Sequence, residues 1–388
     1  MNILFVENGL SNPFKVNNGG SQRTNLLLQA CDQIADVDVI TFYDESCAKD
    51  NKSYNVLHVG SIESRENRWK KLIRLLHAAS PKGFATLNRE KERIIDSFFN
   101  KKQYDFIVVR YVNQAIECGL LKYGKRLIVD VDDSPHDAAR RDVESAKTLR
   151  NKLFYKTIAH FSKNALKTFI GKTGACFFSN YEQAKEFHGV FLPNVPFYTI
   201  QKERVDTSLM VKGRILFVGD FCYFPNLNGA SHFLDSIYPL IKEKHPEVSL
   251  HLVGNVFEDK KELWEKQGAE VMGFVDDLVK EYAEAECVII PLYTGAGTCI
   301  KVLEAMQMQR PIVTTVTGKR GYDSFFKNGE DYLVANDDND YAEKVCLILD
   351  NTALRKDIVS GAYRKYEQIF NKLHFFEVIS QTLSKLKS

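Results

Sequence analysis

The sequence predicts an α/β protein built from two Rossmann-like domains with parallel sheets. Three observations carry this. The chain has 388 residues, more than one domain usually holds. Short β-branched runs alternate with helical patterns, as in parallel sheets covered by helices on both faces. The alternation stops once, at Pro193-Asn194-Val195-Pro196, where two prolines in four residues disfavour both helix and sheet, and it resumes at Gly213. The expected division is a first domain over 1–196, a polar linker over 197–212, a second domain over 213–370 and a terminal helix over 371–388.

In the first domain, strands are expected at 3–7, 37–42, 56–59, 106–109, 127–131, 175–178 and 190–192. Each is a short apolar run bounded by polar residues. A helix over 21–35 follows from apolar residues at 26, 27, 30, 31 and 34. Longer helical regions are expected over 65–100 and 138–170, and another helix opens at Ser179-Asn180-Tyr181-Glu182. In the second domain, strands are expected at 213–219, 248–253, 269–272, 287–291 and 311–315. Helices between them are expected at 228–244, 260–267, 278–285 and 300–308, with a final helical region from about 340. Ligands of such sheets bind beyond the carboxyl ends of the strands, so the site is expected in a cleft between the two domains.

Composition narrows the function classes. Hydrophobic residues make up 44%, which excludes a disordered chain. The net charge of +2 hides a division. Residues 1–200 hold 29 Lys+Arg and 22 Asp+Glu, a net of +7, while the remainder holds 23 and 28, a net of −5. The eight cysteines are scattered, with no Cys-x-x-Cys pair, against a disulfide framework or zinc site and for a reducing compartment. Met1-Asn2-Ile3-Leu4 enters a strand directly, with no leader pattern. No apolar run approaches the roughly 20 residues of a spanning helix. A soluble, cytoplasmic protein is expected. The region from Arg65 to Arg93 has nine basic and three acidic residues, and Trp69, Leu72, Ile73, Leu75 and Leu76 share a helical face. Such a helix suits peripheral contact with an anionic membrane; a helix packed on the sheet with a solvated face has the same pattern. Nucleic acid is not an expected partner, because no aromatic–basic interleaving supports it.

Chemistry concentrates in Pro291-Leu-Tyr-Thr-Gly295-Ala-Gly297-Thr298-Cys299-Ile300-Lys301-Val-Leu-Glu304-Ala-Met306. This stretch follows a strand, carries two glycines and opens a helix. Glycines let a phosphate approach the backbone, and a helix N-terminus offers unpaired N–H groups. Lys301 in the first turn opposes the helix dipole, which makes sense if an anion sits there. Glu304, one turn on, can accept two hydrogen bonds from a vicinal diol such as a ribose. A helix start with a solvated Lys301–Glu304 pair is the plainer alternative. Gly19-Gly20, ahead of a helix, is a second candidate phosphate loop. Asp130-Val-Asp132-Asp133-Ser134-Pro135-His136 follows a buried strand, and Asp133 or His136 could accept or relay a proton. The same run could hold a metal as an Asp-x-Asp site, or simply turn the chain and cap a helix.

The 291–306 stretch resembles the donor-binding segment of retaining family-4 glycosyltransferases of the GT-B fold. The run from Gly297 to Thr315 is especially similar to the branch that builds bacterial surface polysaccharides. The resemblance extends through Phe217-Val-Gly219-Asp-Phe-Cys-Tyr-Phe-Pro225-Asn226, Leu252-Val-Gly254 and Met272-Gly273-Phe274-Val275-Asp276, and covers residues 213–350. It implies that Glu304 binds the nucleotide ribose and that the amides of Ile300 and Lys301, in the loop of Gly297 and Thr298, hold the donor pyrophosphate. It implies further that Phe274 and Val275 line the base pocket. Gly219 would admit the phosphates, and Gly19 and Gly20 would approach the donor from the first domain. The terminal helix would cross back to that domain.

Three departures stand out. Ala296 replaces the first of two acidic residues eight apart. The usual Arg and Lys after the first strand of the second domain are absent, with Asp220 and Asn228 about there. Lys301 is the candidate replacement, with Lys319 or Arg320 in reserve, because a pyrophosphate leaving group needs its charge stabilised. Arg110-Tyr111 stands where many relatives carry a histidine, so Arg110 joins Asp133 and His136 as a candidate catalytic residue. The resemblance implies a retaining, metal-independent glycosyltransferase without a cofactor. It would take a UDP- or GDP-linked sugar and a glycan or lipid-linked acceptor, at or near the inner membrane face. A nucleotide-sugar epimerase of the same fold and a degenerate nucleotide-sugar-binding subunit are the alternatives.

Overall fold

The structure, a computed structural model, describes residues 1–16, 19–51, 53–62, 77, 79–132, 134–137, 140, 143, 146, 148–196, 206–295 and 297–388. The apolar face expected at Trp69 to Leu76, Asp133, Ala296 and residues 197–205 of the expected linker lie outside the described residues. The chain divides into two compact units, Met1–Asn194 with Lys372–Ser388, and Val195–Asn371.

The first unit holds seven parallel strands: β1 (Asn2–Glu7), β2 (Asp36–Thr41), β3 (Asn55–Val59), β4 (Phe106–Arg110), β5 (Leu127–Asp132), β6 (Ala175–Phe178) and β7 (Val190–Phe191). Their order is β3-β2-β1-β4-β5-β6-β7. Leu4, Ile107 and Val129 are fully buried because both faces of the sheet are covered. The covering helices include α1 (Gly19–Asp32), α2 (Arg89–Phe99), α3 (Val112–Glu117), α4 (Leu149–Lys172) and α5 (Tyr181–Phe187). The strand order reverses between β1 and β4, so the loops leaving these two strands part and open a crevice.

The expectation of one helical region over 65–100 needs correction within the described residues. Pro81–Gly83 is a single 3-10 turn and residues 85–88 form no regular element. Helix α2 starts only after Asn88, whose side chain accepts the amides of Glu90 and Lys91. A proline and a glycine within three residues explain the break.

The second unit holds six parallel strands: β8 (Arg214–Val218), β9 (Ser249–Val253), β10 (Ala269–Gly273), β11 (Cys287–Ile290), β12 (Ile312–Thr315) and β13 (Leu333–Ala335). Their order is β10-β9-β8-β11-β12-β13, which reverses between β8 and β11. The helices are α6 (Phe224–His232), α7 (Tyr238–Lys244), α8 (Glu258–Lys266), α9 (Leu278–Glu284), α10 (Ile300–Gln307), α11 (Asp338–Asp350) and α12 (Thr352–Ile369). The helix expected at 228–244 starts four residues earlier, because Pro225 occupies the first turn, where a missing N–H costs nothing. It is interrupted by a π turn, Phe233–Ile237, just before Pro239. The wider turn accommodates the proline ring and its lost donor. Tyr341 on α11 ties β11 to β12: its hydroxyl donates to Val313 O (2.7 Å) and accepts from Ile290 N (3.1 Å).

The final helical region is three helices. Asn351 ends α11 and its side chain caps the next helix at Leu354 N. The last helix, α13 (Lys372–Lys387), belongs to the first unit. Lys372 Nζ donates to Gln29 Oε1 on α1 (2.8 Å), and the Arg23 guanidinium lies 5.6 Å from the Phe375 ring centre. All eight cysteines are free. Among the described residues no helix is long and apolar enough to cross a membrane.

Candidate functional site

In the second unit, the loops after β8 and β11 flank the point where the strand order reverses. Gly219 opens the first loop. A Cβ placed there would lie 3.0 Å from Asn226 Nδ2 and 3.3 Å from Lys301 Cε, so Lys301 on α10 reaches the loop of β8. Asn226 Nδ2 in turn donates to Asp220 O (2.8 Å) and fixes that loop. Gly254, after β9, has φ +135° and packs so tightly on Gly219 O that any side chain would collide.

The second loop carries Gly295 (φ +134°) and Gly297 (φ +67°). Arg320 braces it, donating from Nε to Gly297 O (2.7 Å). Tyr322 OH donates to Cys299 O (3.0 Å), and Gly321 packs against Thr298. Helix α10 then begins with no acidic residue in its first turn and no side-chain cap. The buried Cys299 thiol faces the amides of Lys301 and Val302. Burial pushes that thiol up, while the Lys301 and Arg320 charges and these amides act the other way. The N-terminus of α10 thus presents a partial positive charge between two cationic side chains. Lys319, the other reserve cation, is ion-paired with Asp323.

Glu304 lies one turn along α10 and is partly buried. Burial raises its pKa, opposed by Lys301 and by Tyr282, whose hydroxyl is 3.4 Å from Oε2. Phe274 follows Gly273 at the end of β10 and is 77% exposed, and Val275 beside it is partly buried. Tyr223 and Phe224 after β8 and Phe257 after β9 are also exposed. An aromatic rim on carboxyl-terminal strand ends suits stacking against a flat ring. Sequence periodicity gave no sign of Tyr223, Phe224 or Phe257, because aromatics in loops carry no repeat.

In the first unit, the other reversal point is built on a buried charge network. Asp130, at the end of β5, accepts from Arg23 Nε (2.8 Å) and Nη2 (2.7 Å) and from Arg110 Nε (3.1 Å). Arg110 is only 4% exposed. Its Nη1 donates to Gly20 O (2.5 Å) and Thr24 Oγ1 (2.9 Å), and its Nη2 to Asp132 Oδ2 (2.6 Å). Arg110 therefore ties β4, β5 and the Gly19-Gly20 start of α1 together. Tyr111 (φ +64°) and Asp132 (φ +54°) both hold left-handed backbone at adjacent strand ends. Such strain, about 1–3 kcal/mol per residue, is kept where surroundings over-determine it.

Asp132 is more open than Asp130, its side chain 22% exposed. Burial opposes its ionisation, but the Arg23 and Arg110 charges outweigh this and hold its pKa below the usual carboxylate range. His136 takes no part in the network. It is buried, its Nδ1 lies 2.9 Å from Ala159 O and 3.4 Å from Ser162 Oγ, and its ring meets the edge of Phe187. Arg23 and Asp132 were missed as candidates. The Asp130–Asp133 run was the available signal, but which of its acids faces the strand end depends on the positive φ of Asp132. Among the described residues no group of three His, Cys, Asp or Glu could hold a metal.

Residues 212–351 match the family of glycosyl transferases group 1. That stretch runs from β8 through α11 and contains every element of the glycine-loop site. An uncharacterized 44.6 kDa protein in the cps region of Klebsiella pneumoniae is 24% identical over 391 residues, 95% of this chain and 96% of its own. A glycosyltransferase from Rickettsia africae superposes with a TM-score of 0.65 at 14% identity, over 100% of this chain and 98% of its own. Anabaena HepE, solved in complex with UDP, superposes with a TM-score of 0.65 at 13% identity, over 99% of this chain and 100% of its own. These likenesses show the fold: two Rossmann-like units of the GT-B type.

Proposed function

We propose that the protein is a glycosyltransferase that moves a sugar from a nucleotide-diphospho-sugar to a glycan or lipid-linked acceptor, with retention of configuration and without an obligatory metal. The observation that carries this is the placement of Lys301 and Glu304 on one helix at the reversal point of the second sheet, with Lys301 against Gly219. An anion at the N-terminus of α10 would meet the Ile300 and Lys301 amides, the Lys301 ammonium and the glycine loop braced by Arg320. Glu304 would then hold the ribose, with Phe274 and Val275 at the base. Arg320 takes the role of second cation, because Lys319 is occupied by Asp323. The two cations would stabilise the leaving diphosphate as its charge develops.

In the first unit, Asp132, kept ionised by Arg23 and Arg110, would orient an acceptor hydroxyl by accepting its hydrogen bond, and Asp133 follows it in the chain. A lowered pKa suits orientation better than proton removal. Arg110 acts here as a positioning residue that fixes Asp132 and Gly20, and His136 as a support of the turn that carries them. UDP and GDP are the candidate nucleotides, and the UDP complex of Anabaena HepE supports trying UDP first. The net +7 of residues 1–200 supports an anionic acceptor or a membrane surface, met through the region from Arg65 to Arg93 on the cytoplasmic side.

The test is a thermal-shift screen over UDP- and GDP-sugars, followed by nucleotide release with and without acceptor extracts. One donor class should raise the melting temperature, and release should require acceptor. Stabilisation by none of them would remove the donor site. Conversion of the sugar with no acceptor present would make the protein an epimerase instead.

A further inference from the structure

A cavity lies at the edge of the second unit's sheet opposite the glycine-loop site, ahead of the strands rather than after them. Its volume is about 540 Å³, within the range of small-molecule sites. Glu286 precedes β11, Arg310 and Pro311 precede β12, and one face of α12 adds Lys356, Ser360 and Arg364. Helix α10 connects the two places. Its N-terminus forms the glycine-loop site. Its other end closes with Gln309 in left-handed backbone, φ +53°, Gln309 N bonding to Met306 O (3.0 Å) and Arg310 N to Ala305 O (2.9 Å). This closure is the motif that usually carries glycine, and it delivers Arg310 to the cavity.

Arg310 is 4% exposed. Its Nη1 donates to Ala285 O (3.2 Å). Among the described residues its Nε and Nη2 have no hydrogen-bond partner, and the side chain forms no ion pair. Those two nitrogens share one edge of the guanidinium, and both are buried. Burial lowers the Arg310 pKa to about 10, with the charge of Asp206 acting the other way.

Of the two carboxylates that line the cavity, Glu286 is already committed, while Glu367 on α12 is exposed and accepts only from Tyr363 OH (3.3 Å) among the described side chains. Glu286 Oε1 pairs with Arg355 (2.9 Å) and Oε2 accepts Gly213 N (2.6 Å). Arg355 is further held by Ile348 O, Leu349 O and Thr352 Oγ1. Among the described residues Arg310 is therefore a buried cation without a counter-charge in contact, a state that is unfavourable unless something supplies one. Lys356 and Arg364 line the same space and form no ion pair among the described residues. These three cations against the one unpaired carboxylate among the described lining residues, Glu367, leave two positive charges in excess, which favours a dianion over a single carboxylate. Met210 and Val359 offer apolar wall for the body of the ligand.

We propose that this cavity binds a small phosphate monoester, drawn by the uncompensated charge of Arg310, with Lys356 and Arg364 balancing its second charge. It is separate from the glycine-loop site: the two lie at opposite ends of β11 and β12, each four residues long, so roughly 13 Å of strand divides them.

The probes are phenyl phosphate and benzoate, titrated calorimetrically into the full chain and into Arg310→Met, Arg310→Lys and Lys301→Ala. Phenyl phosphate should bind wild type and Lys301→Ala alike. Arg310→Met should weaken it at least about tenfold, as expected for the loss of a buried charge beside a dianion, and Arg310→Lys, which keeps the charge, should fall between. In phosphate-free buffer, Arg310→Met should melt no lower than wild type, since it removes an unpaired buried charge, and phenyl phosphate should raise the melting temperature of wild type more than that of Arg310→Met. Several results would overturn the assignment. These are unchanged binding by Arg310→Met, loss of binding in Lys301→Ala, equal affinity for benzoate, or no saturable binding at millimolar phenyl phosphate.

Discussion

Glu304 and Asp132 are both carboxylates at the carboxyl edge of a parallel sheet, and their surroundings push them in opposite directions. Burial dominates at Glu304 and raises its pKa. Two arginines outweigh burial at Asp132 and lower its pKa. Asp132 therefore keeps its charge, and the network it supports, as pH falls through the range where a free carboxylate protonates. Glu304 behaves differently. Only its ionised form can accept both hydroxyls of a ribose, so nucleotide affinity should fall as pH drops through the raised value, above the usual 4.5. Ribose binding favours the ionised form, so binding at the acid end should release protons. UDP titrations between about pH 5 and 8, with Glu304→Gln as the reference for the phosphate's own titration, check this. A wild-type profile parallel to that of Glu304→Gln would contradict it. At the other sheet, Asp130 shows why its run of acids misled: it is fully buried between Arg23 and Arg110 and serves the fold, while Asp132 is the more open one.

At the scale of elements, helix α10 and its two ends carry most of the chemistry. Gln309 holds left-handed backbone that costs a non-glycine residue about 1–2 kcal/mol. Gln309→Gly should therefore stabilise the protein by about 1 kcal/mol, measured as a rise in the denaturant midpoint with an unchanged slope. A loss of stability would mean that the Gln309 side chain makes a compensating contact. Twelve of the thirteen strands among the described residues were legible in the sequence, because buried parallel strands read as short β-branched runs. Strand β13 escaped notice: Leu333-Val334-Ala335 is too short to show a period. The glycine loop was legible because its chemistry is local, one strand end and one helix start within 16 residues. Lys301 resting on Gly219 and Arg320 bracing Gly297 were not, since each pairs residues far apart in the chain. The Schellman-type end that aims Arg310 was hidden too, because Gln309 stands where glycine would have announced it.

At the scale of the whole molecule, a near-neutral chain divides into residues 1–200 at +7 and the rest at −5. The acidic part is the one that holds the proposed donor site, so overall charge cannot draw a diphosphate there. Local arrangement must do so, through loop amides, the N-terminus of α10, Lys301 and Arg320. The central claim is thus that the reversal point of the second sheet is a nucleotide site gripped by α10. Calorimetric titration of UDP and GDP into wild type and Glu304→Ala tests it most directly. One nucleotide should bind wild type, and Glu304→Ala should weaken it by about 1–3 kcal/mol, roughly 5- to 150-fold. Equal affinity in the two proteins, or no binding of either nucleotide to wild type, would contradict it.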